Sequence, residues 1–234
     1  MSIRCHRLLL LISVVLTLIA ACKRQTIANT VEEDGTINSC STKNEYFPSG
    51  PVERHENRLS WGDDQVEWES MFLGHMHEPS LYACTTPADE PQYRFLWDRS
   101  LSQPIAARLV IHRDGSGTLF VRMLANAGIQ PPPRPGKKPV SQDYWYRIIL
   151  DRQIAVPSEQ ITHALSLFHR IEFIDYSKKH GMTTDGSDWI FESKVDGKYR
   201  LVDFRNVAPE PARNFGLYLA LDLAKLPIPR NAIY

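Results

Sequence analysis

The sequence predicts an α+β fold: a mostly antiparallel sheet of about five to six strands, two main helices and a short N-terminal helix. Two turn signals indicate the strands. Residues 114–117 (DGSG) and residues 196–197 (DG) each lie between apolar runs, which is the pattern of a β-hairpin. The helices are indicated by residues from 158 and from 212 onward, which carry apolar side chains at helical spacing. Because hairpins join antiparallel strands, most of the sheet is expected to be antiparallel.

The first elements lie between residues 63 and 124. Residues 63–75 begin with acidic side chains and carry apolar ones further on, which predicts a short helix. A strand is predicted over 93–98 and a hairpin over 106–124. In this hairpin we pair Arg113 with Thr118, which makes both faces of the two strands apolar. One face then carries Leu109, Ile111 and Phe120, and the other carries Val110, Leu119 and Val121.

The later elements are a long strand over 144–156, a helix that Ser158 caps, a second hairpin and a buried helix over 212–226. The second hairpin turns at residues 196–197, which places Val195 opposite Lys198. Both hairpins are apolar on two sides, so the sheet must be covered twice. Residues 158–176 and 212–226 can cover one side. The segment between Cys40 and Cys84, or a partner protein, must cover the other.

The N-terminus has the parts of a secretory signal. Arg4 and Arg7 precede an apolar core over residues 8–19, and small residues follow at 20–21. The apolar run is shorter than the roughly 20 residues that span a bilayer. Residues 1–21 are therefore predicted to be a signal peptide.

The tetrapeptide IAAC at residues 19–22 resembles the lipobox of bacterial lipoproteins. The resemblance implies cleavage before Cys22, a lipid-modified thiol there and acylation, typically with palmitate, so that the membrane is a partner through this anchor. Lys23 follows, which by the same resemblance implies the outer membrane, on its periplasmic side. The alternative is an ordinary signal peptide that leaves Cys22 as a free thiol.

Beyond the signal, residues 22–57 are predicted to be the lipidated cysteine and a flexible tether, because they are polar and lack an apolar period. Residues 58–234 are predicted to be a single globular domain. The whole chain has 27 basic and 27 acidic residues, and residues 1–21 remove Arg4 and Arg7 and no acid, which leaves a net charge of −2. A charge so near zero gives no electrostatic reason to expect nucleic acid as a partner.

Cys40 and Cys84 are the cysteines that remain after the signal and the anchor. In an oxidising periplasm an even pair predicts a disulfide bond, which the chain-entropy model values at roughly 4 kcal/mol. Two free thiols, or a metal site, are the alternative.

The candidate chemistry is sparse, and no cofactor is predicted. His75 and His77 flank Met76 and are weak candidate metal ligands, but two such ligands occur together by chance. His112, and the pair Glu192 and Asp203 on the second hairpin, are weaker candidates for acid–base chemistry. No catalytic residues are predicted.

Four blocks of sequence carry a resemblance: HEPSLY, YRFLWDRSLSQPIAARL, SEQITHALSLFHRIEF and TDGSDWIFESKVDGKYRLVDF. They are similar to a family of uncharacterised proteobacterial proteins, many of them exported or lipid-anchored. The tryptophan-hairpin block is the specific part. The resemblance implies one domain from about residue 60 onward and no particular activity.

The function that these patterns favour is a non-enzymatic protein-binding or inhibitory module, such as an immunity-like lipoprotein. A partner groove is predicted near Tyr144, Tyr146 and Tyr199, because tyrosine suits an interface with one wet end. The alternatives are an enzyme of the cell envelope whose site is dispersed along the chain, or a structural or assembly lipoprotein.

Overall fold

The computed structural model of the 234-residue chain describes residues 45–48, 63–85, 90–99, 102–125, 146–171, 186–206, 208–229 and 233. It also places the backbone of two short strands before them, β1 (Asn29–Val31) and β2 (Ile37–Cys40). These pair with β3 (Cys84–Thr85) in a small antiparallel sheet. No helix in the described part of the chain is both long and apolar enough to cross a bilayer.

The main sheet has six strands, all paired antiparallel. The order across the sheet is β7-β6-β5-β4-β8-β9, so β4 lies inside the sheet and β7 and β9 form its edges. The strands are β4 (Gln92–Arg99), β5 (Ile105–Ile111), β6 (Gly117–Leu124), β7 (Ile148–Val156), β8 (Ser187–Val195) and β9 (Lys198–Arg205).

In the described part of the chain, three helices accompany the sheet: α1 (Asp63–His75), α2 (Ser158–Phe168) and α3 (Glu210–Leu217). A π-helical turn, Tyr218–Leu223, continues α3. The α+β fold, with a mostly antiparallel sheet and a short N-terminal helix, is therefore confirmed.

One face of the sheet, which we call the aromatic face, packs against α2, α3 and the π-helical turn. Its centre is a stack of rings in which Trp97 and Trp189 lie 4.7 Å apart and Phe95 and Phe191 lie 5.0 Å apart, measured between centroids. Phe168 from α2 and Phe215 from α3 close over this stack. Burying so many aromatic rings is the main apolar contribution of the domain to its stability.

The opposite face, which we call the ionic face, packs against α1. Phe72 and Leu73 from α1 meet Leu96 and Ile190 of the sheet, and Phe47 joins them from before the helix. The described parts of the segment between residues 40 and 84, namely Phe47 and α1, thus pack on the second side of the sheet. Phe47 is almost fully buried, so this part of the predicted tether (22–57) is packed on the domain.

The two hairpins differ in how well their register was predicted. In β8–β9, Val195 pairs with Lys198 around Asp196 and Gly197, which both have positive φ, as predicted for a DG turn. In β5–β6 the predicted pairing of Arg113 with Thr118 is wrong, because Thr118 pairs with Val110.

Two helix ends also differ from the predictions. Ser158 is the first residue of α2 rather than its cap, since the cap position is Pro157 and no side chain caps the helix. The last helix begins at Glu210, and it changes to π-helical hydrogen bonding at Tyr218 instead of continuing as a regular α-helix to 226.

Candidate functional site

A cavity of about 340 Å³ opens on the aromatic face, where the end of α2 meets the β8–β9 hairpin. Its size lies within the range of pockets that hold small molecules. Tyr93 and Phe168 form its floor, their rings 4.7 Å apart in a T-shaped contact. The lining residues are Tyr93, Phe168, His169, Ile171, Ser193, Val195, Asp196, Lys198 and Arg200.

Polar groups cross the floor of this cavity in one row. Tyr93 pairs with Ser193, and Ser193 pairs with Arg200, so the three side chains lie side by side on β4, β8 and β9. Tyr93 and Ser193 are each more than nine-tenths buried. Neither side chain forms a hydrogen bond to another residue in the part of the chain that the structure describes.

The charges of the cavity lie toward the edge strand. Lys198 and Arg200 are on β9, and Asp196 is in the turn before it. Burial raises the pKa of the Tyr93 hydroxyl, as does the nearby Asp196 carboxylate, and Arg200 opposes the change. The hydroxyl therefore stays protonated at neutral pH and can donate a hydrogen bond.

The ionic face carries a buried network of arginines. Arg94 lies directly opposite Arg108 on β5 and Glu192 on β8. Its guanidinium donates two hydrogen bonds to Glu192, from Nε to Oε2 at 2.6 Å and from Nη2 to Oε1 at 2.8 Å. The Tyr199 hydroxyl donates a third bond to Glu192, at 2.9 Å. The two bonds from Arg94 make a bidentate ion pair, in which each buried charge is balanced by the opposite one.

Glu78 holds the other side of this network. Its carboxylate accepts hydrogen bonds from Arg108 at 2.8 Å and from Arg122 at 2.9 Å, and Arg94 lies 3.9 Å away. Burial alone would raise the pKa of Glu78, but Arg108, Arg94 and Arg122 outweigh it and lower the pKa. Glu78 therefore stays ionised and links three neighbouring strands.

The end of α1 places Glu78 there. His77 has a positive φ, its N–H donates to the Gly74 carbonyl, and the Glu78 N–H donates to the Leu73 carbonyl. These two bonds form a Schellman motif, which ends a helix and turns the chain sharply. The segment HMHE thus stops α1 and delivers a carboxylate to the arginines.

A second charged group lies under α1 and is acidic. The carboxylate oxygens of Glu69, Asp98 and Asp188 all lie within 4.8 Å of one another, and Asp98 pairs directly with Asp188 across β4 and β8. Burial raises the pKa of Asp98 to about 6, although the hydrogen bond with Glu69 acts to lower it. The pKa of Asp188 is raised to about 7, mainly by burial. The nearby Arg205 lowers this pKa, and the Asp98 and Asp203 carboxylates raise it. Asp98 and Asp188 can therefore hold protons near neutral pH. All three carboxyl groups are oxygen ligands of the kind that a hard cation takes.

The predicted partner residues lie at opposite edges of the sheet. Tyr146 precedes β7, and its ring stacks on His75 at 4.6 Å. Tyr199 lies on β9, where its ring contacts Tyr82 at 5.2 Å. Five interstrand spacings of about 4.8 Å separate these edges, roughly 24 Å in all, so the structure does not bring the two tyrosines together. Tyr144 lies outside the described residues.

The predicted metal ligands, His75 and His77, contact different neighbours. His75 stacks on Tyr146, Met76 between the histidines is fully buried, and the His77 carbonyl accepts a hydrogen bond from Arg122. Among the described residues, neither histidine belongs to a convergent group of three metal-ligating side chains. His112 hydrogen-bonds Thr118 at 2.8 Å and lies near Glu90 rather than near Glu192 or Asp203.

Two covalent sites were predicted, a disulfide bond between Cys40 and Cys84 and a lipid on Cys22. The backbone of Cys40 pairs with that of Cys84, and Cys84 is buried. Directly paired strand residues fall within the Cα separation that a disulfide needs, so this register is compatible with the bond, which stays a prediction. Cys22 and the whole signal segment lie outside the described residues.

The buried ion pairs were not predicted, although the sequence carries a signal for them. Three consecutive strands, YRFLW, AARLV and FVRML, each carry one arginine among apolar residues. An arginine in such a run is buried only when it is paired, so three of them indicate buried carboxylates elsewhere in the chain. The cavity gave no such signal, because its residues come from distant segments.

No family model matches the chain, and the comparisons with curated proteins and with solved structures found no match.

Proposed function

We propose that this chain is a lipid-anchored protein of the bacterial outer membrane, on the periplasmic side, that works as a non-enzymatic binding module for another protein. The lipobox-like residues 19–22 support the anchor. The observation that supports protein binding is edge strand β7. An inhibitory, immunity-like role is one form of this function.

Strand β7 has nine residues, contains no proline and lies at the end of the sheet. In the described part of the chain it pairs with β6 alone. An edge strand of this length can accept an extended segment of a partner through main-chain hydrogen bonds. The side chain of Ile149 on β7 is 45% exposed and offers an apolar contact to such a partner.

Aromatic contacts link the start of this strand to α1 through Phe72, which is fully buried. The Trp68 ring is 37% exposed and packs edge-on against Phe72 at 5.3 Å, and Phe72 in turn contacts Tyr146 just before β7. Exposed tryptophan and tyrosine are enriched at protein interfaces. We therefore place the partner on β7 and the Trp68 side of α1, which we call the edge surface.

The anchor is tested by labelling cells with a palmitate analogue. Wild-type protein should take up label and fractionate with the outer membrane. The Cys22→Ala variant should remain unlabelled and keep residues 1–21. Label in the variant, or an unlabelled wild type cleaved after residue 21, would exclude lipidation at this cysteine.

The partner surface is tested by crosslinking in intact cells, followed by capture of the protein. Ile149→Lys on β7 should lose the crosslinked partner at an unchanged melting temperature. The matched control is Gln160→Lys, which puts the same charge on an exposed position of α2. Equal capture by the two variants would remove the edge surface from the proposal.

The second candidate function is an envelope enzyme, and the acidic group under α1 favours it. A carboxyl group with a pKa near 7, such as that of Asp188, can act as a general acid at neutral pH. In that case Asp188→Asn would abolish hydrolysis of an envelope polymer, measured with purified protein and peptidoglycan fragments. A binding module would retain partner capture in the same variant and show no hydrolysis in the wild type.

A further inference from the structure

We infer that the cavity on the aromatic face binds a small amphiphilic carboxylate, in a site separate from the edge surface. The first reason is the pair of hydroxyl groups on its floor. Tyr93 and Ser193 are nearly buried, line the cavity and form no hydrogen bond to another described residue. Neither hydroxyl oxygen is among the described polar atoms that are sealed from solvent without a partner, so both stay open to the cavity and can form hydrogen bonds with a polar ligand atom.

The second reason is the way the lining changes from apolar to cationic. At the α2 end the lining consists of Phe168 and Ile171, which are almost fully buried, and of the exposed His169 between them. At the other end, on edge strand β9, it carries Arg200 and Lys198. A ligand that matches both ends has an apolar body and one anionic group.

The charge at the carboxyl end of α2 sets the orientation of that ligand. The carboxyl end of α2 lies at the apolar side of the cavity, and its partial negative charge disfavours an anion there. The carboxylate therefore lies beside Arg200, within reach of the Ser193 hydroxyl in the same cross-strand row. Asp196 in the adjacent turn disfavours a second negative charge, so a monoanion fits better than a dianion.

The size of the cavity limits the ligand to a small molecule. About 340 Å³ is near the lower end of the range for ligand pockets and far too small for a polymer chain. A short-chain fatty acid or an aryl carboxylate has the required chemistry. The Tyr93 ring and the Phe168 ring supply the apolar contacts for either.

The test is a calorimetric titration of the full chain in lipid nanodiscs, with empty nanodiscs as the blank. The probes are hexanoate, 1-hexanol, hexylammonium and hexyl phosphate. Hexanoate should bind at least tenfold more tightly than hexanol and hexylammonium, because the charge-assisted hydrogen bonds to Arg200 are lost with either. Hexyl phosphate should bind more weakly than hexanoate. The inference would be overturned if hexanoate did not bind, or if hexanol or hexylammonium bound equally tightly. If hexyl phosphate bound more tightly than hexanoate, the carboxylate assignment would be wrong.

Variants locate the binding. Arg200→Gln should weaken hexanoate binding about tenfold, and Tyr93→Phe and Ser193→Ala should each weaken it severalfold without changing the melting temperature. Arg113→Gln, in the β5–β6 turn and outside the cavity lining, is the matched control and should bind as the wild type does. If Arg200→Gln alone had an effect, the anion would be binding at the surface and the cavity would be excluded as its site.

Discussion

Arg94 and Glu192 face each other across β4 and β8 as a bidentate ion pair, and neither side chain has any exposed surface. Removing one member of such a pair leaves a buried charge without its partner, which typically costs about 3–5 kcal/mol. We expect Arg94→Met to lower the free energy of unfolding by about that amount, measured by denaturant titration. The double variant Arg94→Met/Glu192→Leu should recover part of the loss, because it also removes the stranded carboxylate.

The matched control for this pair lies on the same face of the sheet. Arg122 and Asp151 form an ion pair at 3.3 Å, but the Asp151 side chain is 55% exposed. Asp151→Asn should therefore change stability by less than about 1 kcal/mol. An equally small effect of Arg94→Met would show that the buried pair is not needed to hold β4 against β8.

Glu78 makes stability depend on acid. Its pKa in the folded protein is lowered, because the three arginines outweigh the burial that would raise it. The folded state therefore favours the ionised form, and this stabilisation is complete above the unfolded pKa of about 4.5 and is lost as the pH falls through the folded pKa. Glu78→Gln should be less stable than the wild type at pH 7, and the difference should narrow as the pH falls below about 4. A gap that stays constant with pH would contradict this.

Asp188 should make the folded protein less stable as the pH rises, which is the opposite of the effect of Glu78. Its pKa is raised to about 7, so the folded state retains a proton that the unfolded chain releases above about pH 4. Its contribution to stability therefore falls as the pH rises from about 4 to about 7 and is level outside that window. Asp188→Asn cannot ionise, and we expect it to exceed the wild type in stability at pH 8 by roughly 2–4 kcal/mol and to lose that advantage near pH 4. Thermal unfolding across this pH range tests it, with Asp222→Asn on the exposed side of the π-helical turn as control.

Trp189 lies at the centre of the aromatic face. Its ring packs against Trp97 and Phe95, and its Nε1 donates a hydrogen bond to the Ser187 hydroxyl at 2.8 Å. Trp189→Ala should lower the free energy of unfolding by about 3–5 kcal/mol, because it leaves a large cavity in the core. Trp68→Ala, at an exposed ring, is the control and should cost much less. If both variants lost a similar amount of unfolding free energy, Trp189 would not be a main contributor to core stability.

The pair Cys40 and Cys84 predicts a redox-dependent stability. If the thiols are joined, alkylation and mass spectrometry of unfolded protein should modify both only after reduction. The chain-entropy model gives an upper value of roughly 4 kcal/mol for the loss on reduction. Alkylation of both thiols without reductant would exclude the bond.

The sequence predicted the β8–β9 hairpin in full because its register depends on a local signal. Asp196 and Gly197 adopt the positive φ that a two-residue turn requires, and every pairing follows from them. The β5–β6 register failed for an equally local reason. Ser116 hydrogen-bonds the Asp114 carboxylate, and the His112 N–H donates to the Ser116 carbonyl, so five residues rather than four connect the strands.

The candidate site could not be predicted in the same way. Tyr93 and Ser193 become neighbours because β4 pairs with β8, and no short-range signal specifies which distant strand a strand will join. The same is true of Arg94 and Glu192, which are 98 residues apart. Single-sequence patterns therefore found the elements and the covered faces, and missed both the ion network and the cavity.

The position of β4 has a consequence for how the chain folds. Strands β4 to β7 follow one another in both sequence and space, and β8 and β9 form a hairpin, so each unit contains mainly local contacts. The seam between β4 and β8 joins residues that are far apart in the sequence, and the entropy of bringing them together must be overcome before its contacts form. We expect this seam to close last on refolding, after the two units have formed, with the Trp97–Trp189 and Arg94–Glu192 contacts appearing together in one slow phase. A refolding chain would then exist briefly as two halves, each with one aromatic strand uncovered.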